Sequence, residues 1–96
     1  MKKLALALAF AAVNAAAAQA DPIELQWWHA MTSVNGDRIN KIAADFNASQ
    51  SEYKVTPVFK GSYAETMTAA IAAYRAGNAP DIVQIFEVGT ATMMGA

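Results

Sequence analysis

The 96 residues carry seven basic and eight acidic side chains, no cysteine, and 55% apolar residues. Without a basic cluster there is no electrostatic surface for nucleic acid or anionic lipid, and without cysteine there is neither a disulfide staple nor a thioether-linked lipid. The first twenty residues read as an export signal. Lys2 and Lys3 precede an apolar run from Leu4 to Val13, and Ala18-Gln19-Ala20 gives the small-x-small pattern of signal peptidase, predicting cleavage after Ala20. Ten apolar residues rise roughly 15 Å as a helix, half a hydrocarbon core, which is too short for a membrane span. The expectation is export to a bacterial periplasm as a soluble, non-lipidated protein. Beyond the signal, residues 21–96 hold five basic and eight acidic side chains, a net charge of −3.

In chain order, Ile23-Glu24-Leu25-Gln26-Trp27-Trp28 alternates and then turns wholly apolar, predicting a strand that ends near His29. The polar stretch Thr32 to Asp37 reads as a connection. After it Ile39, Ile42, Ala43 and Phe46 recur at helical spacing, predicting an amphipathic helix that frays around Ala48-Ser49-Gln50-Ser51. Tyr53 to Lys60 is the second predicted strand. Pro57, which has no N–H to donate, places it at an edge or a bulge.

Ser62-Tyr63-Ala64-Glu65 has the capping-box pattern, with Met67, Ala70, Ile71 and Tyr74 as the apolar stripe behind it. Arg75 suits the negative end of this second helix, and Gly77 stands where a left-handed residue ends it. Pro80 prevents resumption. Asp81 to Phe86 is the third predicted strand, apolar on both faces as buried parallel strands are. Val88 to Met94 then begins another helix. The order β-α-β-α-β, with crossovers long enough for parallel pairing, makes the fold class α/β with a mostly parallel sheet. A core of some 76 residues without disulfide or metal is marginal, so the chain is expected to be the incomplete N-terminal part of a larger lobe.

Ligands of open parallel sheets bind beyond the carboxyl ends of the strands. That rule selects Trp28-His29, Gly61-Ser62-Tyr63 and Glu87-Val88-Gly89. Glu87 offers only acceptors and can hold two hydroxyls of a polyol, or else be a solvated strand end or a helix cap. Tyr63 can stack on a carbon skeleton, or simply cover the helix start. Ser62 at a helix N-terminus suggests a phosphate cradle, but the capping box engages its amide and Glu65 would repel an anion. Trp27 and Trp28 point to opposite faces, one into the core and the other to the cleft wall. His29, the single histidine, lacks partners for zinc or a triad and reads best as structural. Neither a metal nor a cofactor is expected.

The runs Trp27-x-His29 and KGSY with GNAPD, and above all EVGTATMM at residues 87–94, resemble the extracellular solute-binding proteins of bacterial ABC importers, specifically their glycerol-phosphate-binding group. The resemblance covers residues 21–96, and only about the first fifth of a family member. It implies two α/β lobes closing on sn-glycerol 3-phosphate and delivery to a membrane permease, with no enzymatic activity and a monomeric state. It also implies Tyr63 and Glu87 as ligand contacts and phosphate-binding residues beyond Ala96, while the strand-end rule adds Trp28, His29 and Ser62 as candidates for the cleft wall. The residues leave open an oligosaccharide or glycerophosphodiester ligand, a small exported hydrolase using Glu87 and His29, and a gene fragment without function.

Overall fold

The computed structural model describes residues 20–96, so the expected signal segment lies outside the described residues apart from Ala20. The elements are β1 (Ile23–His29), α1 (Ser33–Ser49), β2 (Tyr53–Phe59), α2 (Tyr63–Arg75), β3 (Ile82–Val83), a 3-10 turn (Glu87–Gly89) and α3 (Thr90–Gly95). The three strands form one parallel sheet in the order β2-β1-β3, so the first strand is central. The α/β class and the parallel pairing are as the sequence predicts. Because the first crossover steps from β1 to β2 and the second runs back past β1 to β3, right-handed connections put α1 and α2 on opposite faces.

The β1–β2 register pairs Ile23 with Tyr53 and runs without interruption to His29 with Phe59. Pro57 therefore causes no bulge. The reason lies on the outer side of β2, where Val55 N–H donates to Asn47 Oδ1 at 2.7 Å and Val55 C=O accepts from Asn47 Nδ2 at 2.9 Å. Two residues earlier Gln50 does the same for Tyr53, accepting from its N–H and donating to its C=O, both at 2.7 Å. Backbone groups of alternate residues point to the same side of a parallel strand. Pro57, two residues beyond Val55, thus has its missing N–H on this outer side, where β1 needs no donor.

Three expectations are corrected. Helix α1 begins at Ser33 rather than after Asp37, with Gly36 N–H already donating to Thr32 C=O at 3.1 Å. The polar composition of this first turn concealed it, and Ser33 lies in the left-handed region at φ 51°, a conformation that costs an L-residue about 1–2 kcal/mol. Second, the predicted apolar face of α1 is not the packed one. Ala43 is buried and Ile39 half-buried, but Ile42 is 56% exposed and Phe46 42% exposed. The helix lies on the sheet through the Ala43–Asn47 line, Asn47 bonding Val55, and Ile42 and Phe46 face away from it.

Third, β3 spans two residues instead of six, and Ile82 is exposed rather than buried. Gln84 N–H still donates to Trp28 C=O at 2.9 Å, but the next donor on β1, the N–H of Ala30, is taken by the Gln84 side chain at 3.0 Å. A side-chain amide thus ends the ladder where a longer strand would have continued it. The remaining core is small: among the described residues, Trp28, Ala43, Val55 and Ala70 are the buried hydrophobic ones. Among the described residues, no helix is long and apolar enough to cross a membrane.

Candidate functional site

The carboxyl ends of the three strands bring together the segments that sequence reasoning selected. The β2–α2 connection is the best defined. Glu65 N–H donates to Ser62 Oγ at 3.2 Å and Ser62 N–H donates to Glu65 Oε1 at 3.4 Å, so both halves of the capping box are formed. Thr66, fully buried, holds its hydroxyl 3.5 Å from the carbonyl oxygens of both His29 and Gly61, and Lys60 N–H donates to His29 C=O at 2.9 Å. The first turn of α2 is in this way pinned to the end of β1. Its other end closes as a Schellman motif, with Asn78 N–H on Ala73 C=O, Gly77 N–H on Tyr74 C=O and Gly77 at φ 80°.

Tyr63 is the first residue of α2 and is 41% exposed. Its ring stacks on Phe86 at 5.2 Å between centroids and 10° between planes. Phe86 caps the 3-10 turn and directly precedes Glu87, which is exposed. Gly89, buried at the end of that turn, is where the two segments close on one another: a Cβ there would stand 2.9 Å from Met67 Sδ of α2 and 2.9 Å from Phe86 Cε1. Tyr63 and Glu87, predicted from separate strand ends, are thereby held on one rim through Phe86.

Of the other three candidates, Trp28 and His29 are buried and Ser62 is exposed. Ser62 is exposed, yet its hydroxyl and N–H serve the capping box. Trp28 is buried, its indole N–H donating to Gln26 Oε1 at 2.9 Å and its ring covered by Lys60 Nζ at 3.9 Å from the centroid. A cation on an aromatic face contributes about 0.5–2 kcal/mol, a contact made by the lysine that directly follows β2. His29 is 4% exposed, with Trp27 at 6.4 Å and Phe59 at 6.1 Å as ring neighbours. Its Nδ1 accepts from Met31 N–H at 3.2 Å. Desolvation by this burial lowers its pKa. A neutral, engaged imidazole is a structural histidine, and it presents no exposed base beside Glu87.

Sequence reasoning missed Phe86, Asn47 and Lys60. Phe86 had the same apolar signature as any strand residue, and only the return of the chain beside α2 distinguishes it. Among the described residues, no group of three or more metal-ligating side chains occurs.

No family model matches the chain. It is 48% identical over 103 aligned positions to the sn-glycerol-3-phosphate-binding periplasmic protein of Agrobacterium fabrum, covering all of this chain and 23% of that protein. To the protein of the same description from Rhizobium meliloti it is 56% identical over 73 residues, 76% of this chain and 17% of the relative. Among solved structures, the cyclic alpha-maltosyl-1,6-maltose binding protein of Arthrobacter globiformis superposes with a TM-score of 0.59 and 26% identity, over 65% of this chain and 16% of that one. The chain spans about a fifth of the length of the curated relatives it matches. By sequence the chain is thus similar to a part of the sn-glycerol-3-phosphate-binding periplasmic proteins, and by fold to a part of a bacterial sugar-binding protein.

Proposed function

We propose that residues 21–96 form part of the first lobe of a periplasmic receptor that binds sn-glycerol 3-phosphate and passes it to an ABC permease, and that residues 1–20 are the cleavable signal that exports it. The ligand that these relatives bind supports this reading. The observation that supports the reading is the Tyr63–Phe86 stack, because it joins an exposed tyrosine to the segment of an exposed carboxylate from a different strand end. In this reading Glu87 accepts hydrogen bonds from the glycerol hydroxyls, each charge-assisted bond contributing about 1.5–3 kcal/mol. Tyr63 packs its ring against the carbon skeleton and offers its hydroxyl to a ligand oxygen. The phosphate is held by groups outside this chain, since the amide and hydroxyl of Ser62 are already bonded within the cap. Closing a second wall over this rim supplies the buried area and preorganisation that one open wall lacks.

The test uses a chimera in which this chain replaces the matched segment of the Agrobacterium fabrum relative. Calorimetric titration with sn-glycerol 3-phosphate, a glycerophosphodiester and maltose distinguishes the ligand classes. Glu87→Ala should weaken binding of the first by at least about 10- to 150-fold, the loss of one such bond, with the folded state retained. Unchanged affinity would remove Glu87 from the site, and preference for maltose would move the protein to the sugar-binding branch.

A further inference from the structure

The Tyr63–Glu87 rim depends on a residue that offers the ligand nothing itself. Tyr63 is held at the exposed start of α2, where the capping box fixes its backbone but leaves its ring 41% exposed. The ring's stacking partner is Phe86, half-buried and adjacent in sequence to Glu87. Phe86 in turn lies against Gly89, whose missing side chain leaves the space that the Phe86 edge and the Met67 sulfur occupy. One aromatic side chain therefore touches the tyrosine directly and the glutamate through a single peptide unit.

We propose that Phe86 is a positioning residue for ligand recognition, fixing the orientation of the Tyr63 ring and its spacing from Glu87, with Gly89 maintaining the slot in which Phe86 lies. This rests on the reading of Tyr63 and Glu87 as ligand contacts. Physically, an aromatic at a helix start has free χ rotation unless a neighbour restricts it, and immobilising such a side chain on binding costs affinity. A parallel ring at 5.2 Å immobilises it beforehand. The loss of Phe86 is then felt as weaker binding rather than as unfolding. Gly89→Ala acts on the same element from the other side, since its methyl carbon would meet Phe86 Cε1 and Met67 Sδ at 2.9 Å and drive the ring from its place.

The chimera described above tests this with sn-glycerol 3-phosphate as titrant and the thermal midpoint as a parallel readout. Phe86→Leu should weaken binding by about three- to tenfold, the range expected for losing one aromatic pair, while Phe86→Tyr, which keeps a ring, should recover most of that loss. Tyr63→Leu combined with Phe86→Leu should bind no more weakly than Tyr63→Leu alone, because Phe86 acts only through Tyr63. Should Phe86→Leu fail to fold, the exposed Tyr63 carries the same question: Tyr63→Phe, retaining the stack, should bind more tightly than Tyr63→Leu. Additive losses in the double variant, unchanged binding in Phe86→Leu, or equal affinities of Tyr63→Phe and Tyr63→Leu would overturn the positioning role. If Glu87→Ala leaves affinity unchanged, the site itself is wrong and the role of Phe86 falls with it; a loss in Glu87→Ala without one in the Phe86 variants refutes Phe86 alone.

Discussion

Asn47 makes the sharpest test of how this sheet is held, because one side-chain amide satisfies both backbone groups of Val55 on the outer edge of β2. Asn47→Ala removes two hydrogen bonds of 2.7 and 2.9 Å from a buried strand residue. At about 0.5–1.5 kcal/mol net for each, the local loss is about 1–3 kcal/mol, which corresponds to about 5- to 150-fold more frequent opening of this edge. The assay is hydrogen exchange at the Val55 amide in the chimera, with Tyr53, held separately by Gln50, and the central-strand amide of Trp28 as references. Val55 should lose protection by that factor while Trp28 changes little. Asn47→Asp should also lose protection, since a carboxylate accepts from the Val55 N–H but repels its carbonyl oxygen. Unaltered exchange at Val55 in the alanine variant would show that water replaces the amide at no cost, and the edge-sealing argument would fail.

Three further outcomes follow from the same geometry. Because burial lowers the pKa of His29, the unfolded chain binds the proton more readily. Stability is therefore full above the unfolded value near 6.5 and declines as pH falls below it toward the folded pKa. Thermal midpoints of the chimera from pH 7.5 to 5 should fall less in His29→Asn than in the parent, and equal slopes would contradict this. Ser62→Ala, which removes the acceptor for Glu65 N–H, should cost about 0.5–2 kcal/mol in denaturant unfolding. An unchanged midpoint would mean that the cap contributes nothing. Residues 21–96 produced alone should bind sn-glycerol 3-phosphate negligibly, since Tyr63 and Glu87 stand exposed on an open rim; a micromolar dissociation constant by calorimetry would refute the need for a second wall.

Much of the fold was readable in local signals. The capping box at Ser62, the left-handed Gly77, the parallel β-α-β-α-β order and the edge position of the strand with Pro57 are each set by a few neighbouring residues. What failed were inferences from apolar content. Ile42 and Phe46 follow the helical stripe yet remain exposed, and Asp81 to Phe86 has strand composition yet pairs over two residues. In both places a polar side chain stands at the contact: Asn47 of α1 bonds Val55, and Gln84 ends the β3 ladder by taking the N–H of Ala30. Hydrophobic pattern reports which residues favour burial but not which of several apolar lines a long-range hydrogen bond will bring against the sheet.

The candidate site divides in the same way. Sequence by itself determined the α/β class and the strand ends that form the rim, because strand order and connection length fix where a parallel sheet presents its loops; it was the resemblance that singled out Tyr63 and Glu87 there as expected ligand contacts. Only the tertiary structure decided that Trp28 and His29 lie buried behind that rim, under Lys60 and between Trp27 and Phe59. It alone joined Tyr63 to the Glu87 turn through Phe86 and Gly89. The reason is distance along the chain: a contact between residues 63 and 86 leaves no periodicity in either segment, and it exists only because α2 and β3 are brought side by side over the central strand.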